Sequence, residues 1–114
     1  MNDCLIKHFD EDKIVSLKNE IEENEKITDI TNIFSAMSEP NRLKILFLLI
    51  KNDLCVCDLE EIIGVSQSSI SHHLRVLKDY KIVKFQKKGK RVYYSLDDEH
   101  IVKILTTCKE HIEE

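Results

Sequence analysis

The residues best able to do chemistry are two cysteines, Cys55 and Cys57, separated by one residue. Thiolates are the ligands that soft metal ions prefer. In a continuous helix, side chains at i and i+2 point about 200° apart, so both thiols can bind one ion only where a helix begins or is locally extended. Asp58, directly after them, fits such a helix start. Two small buried hydrophobic residues are the alternative, but the pairing of the thiols favours metal.

Two thiolates seldom complete a coordination shell, and the N-terminus offers two further donors, Cys4 and His8. Their spacing of four residues places them on one face of a helical turn. Three sulfurs with the His8 nitrogen, three sulfurs alone, and three sulfurs with an oxygen from Asp10 or water are all possible shells. The thiolates favour cadmium, lead or zinc, and the imidazole favours zinc and cadmium over lead.

A second group of metal-binding side chains lies near the C-terminus. His100 and His111 share one face of a predicted helix but stand about 16 Å apart along its axis, so one chain cannot bring them to one ion. Two antiparallel helices related by a two-fold axis can. The predicted ligands are Asp98 and His100 of one subunit with His111 and Glu114 of the other. Solvated helix-end residues are the alternative, and we expect a structural role for Cys108.

The residues from Ser66 to Leu77 predict a helix with two contrasting faces. Ile70, Leu74 and Leu77 recur at helical spacing and are expected to face a core. The opposite face is polar, and its side chains can reach phosphates and base edges of DNA. This face comprises Gln67, Ser68, Ser71, His72 and Arg75.

A shorter helix is predicted just before it, from Cys57 to Ile63. Gly64 would cap the end of that helix, and Ser66 is a natural N-cap for the next. Helix, tight turn and helix form the helix-turn-helix motif of DNA-binding proteins. A merely solvated polar stripe is the alternative, and the residues that follow favour DNA.

The sequence from Lys78 to Leu96 alternates apolar and polar residues on both sides of Gly89, which predicts a β-hairpin. Residues 66–92 carry eight basic residues against one acidic residue, a net charge of +7, whereas the whole chain carries −4. The positive charge is therefore concentrated where phosphate binding would need it. The tip of the hairpin is a charged wing formed by Lys87, Lys88, Lys90 and Arg91.

Length and composition bound the remaining possibilities. A chain of 114 residues, 42% of them hydrophobic, can build one modest core, which a dimer interface would enlarge. No apolar run approaches the roughly 18 residues of a membrane span, and the N-terminus lacks the regions of a signal peptide. We therefore expect a cytoplasmic protein, without a membrane partner, whose four cysteines are free thiols or metal ligands.

The sequence offers little to an enzyme. A Cys–His nucleophile would need a cleft and an oxyanion-stabilising loop, and the chain has only two glycines. We expect no catalytic residues and no organic cofactor.

Further helices are expected on both sides of these motifs. Their spans are Asp10–Asn24, Thr28–Met37, Ser38–Ile50 with Ser38 as N-cap, and Asp98 to about Ile112 with Asp97 as N-cap. The apolar face of the last helix, formed by Ile101, Ile104 and Leu105, is typical of a dimer seam.

Four segments stand in a characteristic order: SEPNRLKIL at Ser38–Leu46, LCVCDL at Leu54–Leu59, VSQSSISHHLRVL at Val65–Leu77 and GKRVYYSL at Gly89–Leu96. Together they resemble the ArsR/SmtB family of metal-sensing winged-helix repressors, and most of all its CadC-type sensors of cadmium, lead and zinc. The resemblance spans about residues 28 to 112.

The resemblance implies a mostly α-helical winged helix-turn-helix homodimer with a β-hairpin wing. Such a protein represses a metal-efflux operon and leaves its double-stranded operator DNA when metal binds. Residues 28–114 would form the DNA-binding and dimerisation domain, and residues 1–27 a metal-binding extension. Four positions match the family's operator-contacting residues: Gln67, Ser68, Ser71 and His72.

The resemblance also bears on both metal sites. CadC-type sensors carry Cys-x-x-x-Cys in the N-terminal extension and complete the thiol site across the dimer; here His8 stands at the second position. The four residues near the C-terminus match the family's zinc site on the terminal helix. We therefore expect the thiol site to respond to cadmium and the terminal-helix site to zinc.

Two alternative repressors of the same fold remain. An arsenic or antimony sensor would also use Cys55 and Cys57, but its pattern has a third thiol where Glu60 stands, unless Cys4 supplies one. A regulator whose thiols sense oxidation would release DNA on treatment with peroxide in the absence of metal.

Overall fold

The computed structural model of the chain describes residues 10–114. Within them lie six helices and one two-stranded antiparallel sheet. The helices are α1 (Glu11–Glu23), α2 (Lys26–Met37), α3 (Pro40–Leu49), α4 (Val56–Ile63), α5 (Gln67–Asp79) and α6 (Glu99–Glu113), and the strands are β1 (Val83–Lys88) and β2 (Arg91–Leu96). None of the helices in this range is both long and apolar enough to cross a membrane.

The chain divides into two compact units, Met1–Thr31 and Asn32–Glu114. In the first unit, the Asp10 side chain caps α1 by accepting a hydrogen bond from the Lys13 amide at 3.1 Å. The apolar residues of α1 are all exposed within the chain. Cys4 and His8 lie outside the described residues.

In two helices the N-cap is the residue after the predicted one. Glu39, not Ser38, caps α3, because its carboxylate accepts from the Asn41 amide while the Ser38 hydroxyl donates to the carbonyl of Ser35 at 2.9 Å. Asp98, not Asp97, caps α6. The Asp97 amide instead donates to the Ile82 carbonyl at 2.9 Å, which ties the end of the hairpin to the end of α5.

The second unit has one apolar core around α5. Its fully buried side chains come from α3, α4, α5, β1 and the residue before β1: Ile45, Leu46, Leu59, Ile70, Leu74, Leu77, Ile82 and Val83. Helix α5 contacts α3, α4 and β1, so three different elements cover its apolar stripe. Ile101 and Leu105 of α6 join this core, which means that a dimer seam on α6 would have to use other residues of that helix.

The turn between α4 and α5 has the predicted geometry. Gly64 closes α4 in the left-handed conformation, with φ of 81°, which a side chain would disfavour. The Ser66 hydroxyl accepts from the Ser69 amide at 3.2 Å and so caps α5. The helix-turn-helix predicted from the sequence is present, with α4 starting at Val56.

The hairpin pairs β1 and β2 from Val83 opposite Leu96 to Lys88 opposite Arg91, leaving Gly89 and Lys90 as a two-residue turn. Gly89 has a φ of 64°, as such a turn requires. On its other side, β2 pairs with Leu54 in an isolated antiparallel bridge, in which Leu54 and Tyr94 exchange two backbone hydrogen bonds of 3.1 and 2.7 Å. The residues just before α4 are therefore attached to the middle of β2.

Candidate nucleic-acid interface and metal sites

The polar face of α5 lies opposite its buried stripe. The five residues predicted to contact DNA line one shallow concave surface together with Ser66: Gln67, Ser68, Ser71, His72 and Arg75. All are exposed except Ser71, which is half-buried. Hydroxyl, amide, imidazole and guanidinium groups in this arrangement can donate to phosphates and pair with base edges.

A second polar cluster, formed by Glu39, Arg42 and His73, contacts a half-buried side of α5. His73 is half-buried, and its Nδ1 lies 3.3 Å from Nη1 of Arg42 while its Nε2 lies 3.7 Å from the carboxylate of Glu39. Arg42 also donates from Nε to the carbonyl of Ala36 at 2.6 Å. One guanidinium therefore connects the last turn of α2 with α5.

This cluster requires a neutral imidazole. A guanidinium can only donate, so Nδ1 of His73 must accept, which places the ring proton on Nε2. Burial is the main cause that lowers the pKa of His73; Glu39 opposes it, and the positive charge of Arg42 adds to it. The sequence hinted at this role only through position, because His73 lies beside Leu74 near the apolar face.

The wing projects basic side chains into solvent. Lys87, Lys88, Lys90 and Arg91 are all exposed at the end of the hairpin. Lys88 also lies over the Tyr93 ring, with Nζ 5.9 Å from the ring centroid. The predicted charged tip is thus present, and its residues can act on the phosphate backbone.

The thiol pair lies where a helix begins, as the spacing required. Cys55 is the N-cap of α4, with an extended backbone at φ −94° and ψ 171°, and Cys57 is in the first turn. Cys55 is buried, whereas Cys57 is exposed. Asp58 accepts hydrogen bonds from both the amide and the thiol of Cys55, each at 3.2 Å, and these bonds lower the pKa of Asp58.

Cys55 and Cys57 both line one cavity of about 220 Å³. Two soft sulfur ligands, with the Asp58 carboxylate beside them, fit a soft divalent cation. Lys90 and Arg91 of the wing line the same cavity. The sequence pattern indicated only a DNA-binding role for Arg91, because no local signal links it to cysteines more than thirty residues away.

The predicted terminal-helix ligands fall into two separate pairs. Asp98 and His100 lie together, with a carboxylate oxygen 3.3 Å from Nδ1 of His100, and the pKa of Asp98 is lowered chiefly by its hydrogen bond with this imidazole. His111 and Glu114 are exposed at the far end of α6. Within residues 10–114 of one chain, no three metal-binding side chains converge. Cys108 is exposed on α6.

Comparisons with known proteins agree with this geometry. The family model described as "Bacterial regulatory protein, arsR family" matches residues 39–84. The cadmium resistance transcriptional regulatory protein CadC homolog of Staphylococcus aureus is 41% identical over 103 residues, covering 90% of this chain and 84% of that protein. The transcriptional repressor SmtB homolog of a Synechocystis strain is 33% identical over the same length, covering 90% of this chain and 78% of that protein.

A solved structure supports the fold. The winged helix-turn-helix DNA-binding domain Mb0332 from Mycobacterium bovis, described as homodimeric, has a TM-score of 0.74 and 22% identity, and the match covers 81% of this chain and 88% of that one. The predicted winged helix-turn-helix, mostly helical with a hairpin wing, is confirmed.

The half-buried imidazole should make stability depend on pH. A lowered pKa in the folded state means that the unfolded chain takes up the His73 proton first, at about its ordinary value of 6.5. The free energy of unfolding should therefore fall as the pH falls through that value. Urea denaturation at pH 7.5 and 5.5 should show a smaller loss on acidification in His73→Gln than in the wild type.

The variant also has a cost at neutral pH. Because Arg42 loses its hydrogen bond to the imidazole of residue 73, His73→Gln should be less stable than the wild type by about 1 kcal/mol at pH 7.5. Equal pH slopes in the two proteins would show that another group controls the acid response.

Proposed function

The chain belongs to the ArsR family of bacterial regulatory proteins, and from this premise we propose that it is a metal-responsive transcriptional repressor. As a metal-free homodimer it binds double-stranded operator DNA, and it dissociates when cadmium, zinc or lead binds, so that metal-resistance or efflux genes are expressed. Its relatives and its fold are those of transcriptional regulators, not of enzymes. Such a repressor acts in the cytoplasm, where the operator lies.

One observation carries this proposal: the thiol pair and the DNA-facing helix share a single short structural unit. Cys55 begins α4, and the turn that ends α4 begins α5. Both helices pack against each other in one core. A change in backbone conformation at the thiols would therefore occur at the start of the first helix of the helix-turn-helix.

DNA binding follows from the two basic and polar surfaces. The polar face of α5 carries the groups that distinguish bases, and the wing carries the groups that bind phosphates. In a dimer, two copies of α5 must match half-sites about one duplex turn, or roughly 34 Å, apart. Exposed apolar residues Phe34 on α2 and Ile112 on α6, which are 53% and 83% exposed, support a homodimer through these helices.

The two metal sites have different proposed inducers. The thiol pair, with Cys4 and His8 from the N-terminal residues, suits cadmium, because thiolates dominate the ligand set and the imidazole disfavours lead. Asp98 and His100 with His111 and Glu114 of a partner subunit suit zinc, which accepts imidazole and carboxylate ligands. The pair already formed by Asp98 and His100 supports this second site.

Release of DNA requires a difference in affinity between two shapes of the dimer. Metal can weaken operator binding only if the dimer conformation that binds metal more tightly binds the operator more weakly. By reciprocity, the operator must then weaken metal binding by the same factor. The DNA probe for testing this is a duplex selected from a random-sequence pool by the metal-free protein.

The wing should account for part of the salt dependence of binding. In Lys87→Gln/Lys88→Gln, the slope of log affinity against log salt should decrease by about 0.9 for each phosphate that the variant no longer neutralises. The control is Lys103→Gln, an exposed lysine on α6, which should leave the slope unchanged. Fluorescence anisotropy with the selected duplex measures both. A slope equal to the wild type would remove the wing from the interface, and failure to enrich any duplex would refute DNA recognition.

Cadmium binding should give a thiolate-to-metal absorption band in the ultraviolet. The band should be lost in Cys55→Ser and Cys57→Ser and should decrease in Cys4→Ser, whereas the matched control Cys108→Ser should keep it. Affinity should weaken as the pH falls, because ligating thiols must be deprotonated. A band unchanged in Cys57→Ser would exclude the thiol pair as the cadmium site.

Zinc should act through α6. In His111→Ala, zinc should release the selected duplex far less than in the wild type while cadmium still releases it, because only the terminal-helix site is broken. The neighbouring variant Lys109→Gln is the control and should respond to both metals. Full zinc release by His111→Ala would contradict this assignment.

An arsenic- or antimony-responsive repressor is the second candidate, since trivalent arsenic also binds paired thiols. The shared cavity of Cys55 and Cys57 favours it, and Glu60 in the place of a third thiol argues against it. Duplex release by arsenite, and not by cadmium, would identify this alternative, and release by peroxide alone would identify a thiol-redox regulator.

A further inference from the structure

The wing and the thiol pair lie against each other, although their sequence patterns indicated separate tasks. Arg91, Lys90 and Val92 form one wall of the cavity onto which both cysteines open. Arg91 is also the first residue of β2, directly opposite Lys88 at the tip of the hairpin. Its side chain thus belongs to the metal cavity and to the proposed DNA-binding wing.

Electrostatics agree with this contact. The pKa of Arg91 is raised above its ordinary value by Tyr93 first and by Cys55 second, through both charge and hydrogen bonding. The positive charge of Arg91 also helps to lower the pKa of Asp58, after the two bonds from Cys55. Arg91 and Cys55 line the same cavity, and the Asp58 carboxylate lies 3.2 Å from the Cys55 thiol.

The backbone provides a second connection at the same place. Leu54, immediately before Cys55, is joined to Tyr94 in the middle of β2 by a pair of hydrogen bonds, 3.1 and 2.7 Å long. Two opposite residues of an antiparallel pair that exchange both N–H···O bonds hold their two backbones together at that point. The residue before the N-cap of α4 is therefore bonded directly to β2 of the wing.

We propose that Arg91 couples the thiol site to the wing: its guanidinium lines the cavity in the metal-free protein, and a divalent cation bound by Cys55 and Cys57 repels it and moves it away. Two like charges in one cavity repel each other, and the sulfurs that share the cavity with Arg91 would then bind the cation. Once displaced, Arg91 and the attached tip of the hairpin no longer have the position that suits DNA. This inference rests on the proposed metal response and adds the residue that transmits it.

The test measures coupling rather than affinity alone. The affinity of the full-length protein for the selected duplex is measured with and without cadmium, and the ratio is the coupling factor, typically about 5- to 150-fold for coupled sites. In Arg91→Gln this ratio should fall toward one, although the ultraviolet cadmium band remains. The matched control is Lys87→Gln, which removes a wing charge that does not line the cavity, lowers the salt slope in the same way, and should keep the wild-type ratio.

Hydrogen exchange supplies a readout without DNA. In the wild type, cadmium should change the exchange rates of the amides of Leu54 and Tyr94 and of the first residues of β2. In Arg91→Gln, the change in β2 should be much smaller, and Arg91→Lys, which keeps the charge, should restore part of it.

The outcomes separate this inference from the function on which it rests. A wild-type ratio of one would overturn the proposed metal response and the coupling with it. A responsive wild type together with an equally responsive Arg91→Gln would overturn the coupling alone. Equal loss of coupling in Lys87→Gln would also overturn it, because the effect would then belong to wing charge in general.

Discussion

The orientation of α5 depends on the burial of one apolar stripe. Ile70, Leu74 and Leu77 are at most 1% exposed, and they are enclosed by α3, α4 and β1. Because a helix is rigid and its residues repeat about every 3.6 positions, burying this stripe turns the opposite face outward. Truncating one such leucine typically costs about 2 to 5 kcal/mol, so the packing of this stripe strongly favours one orientation of the polar face.

Polar contacts further specify the position of α5, whose orientation the apolar stripe determines. The contact between Arg42 and His73 joins α3 to α5, and the bond from Arg42 to the Ala36 carbonyl extends the connection to α2. In the proposed dimer, α2 is part of the interface, so the same guanidinium links the subunit contact with the DNA-facing helix. A half-buried hydrogen bond of this kind specifies a position more strictly than apolar packing does, because its loss leaves donors without partners.

The proposed metal site and the proposed DNA-binding elements meet at one place in the second unit. The thiol pair begins α4, the turn after α4 begins α5, and the residue before the thiols is bonded to β2. A ligand at this edge therefore contacts the origin of both proposed DNA-binding elements. The positive charge concentrated there explains how a chain of net charge −4 can bind a polyanion.

The sequence by itself determined the elements and their faces. Helical periodicity, Gly64 and Ser66 identified the helix-turn-helix, and alternation around Gly89 identified the hairpin, because these signals act between neighbours in the chain. Local signals were less exact at helix starts: Glu39 and Asp98 cap α3 and α6, where Ser38 and Asp97 were expected. Several adjacent side chains could serve as cap, and tertiary bonds such as that from Asp97 to Ile82 select among them.

Only the tertiary structure decided which distant residues share a site. The spacing of Cys55 and Cys57 predicted a helix start, but nothing in the sequence brought Arg91 to their cavity or His73 to Arg42. Likewise, Ile101 and Leu105 formed an apolar face that fitted a dimer seam, yet they pack into the core of their own chain. The physical reason is the same in each case: periodicity fixes the direction of a side chain relative to its own helix or strand, whereas its partners depend on how those elements pack together.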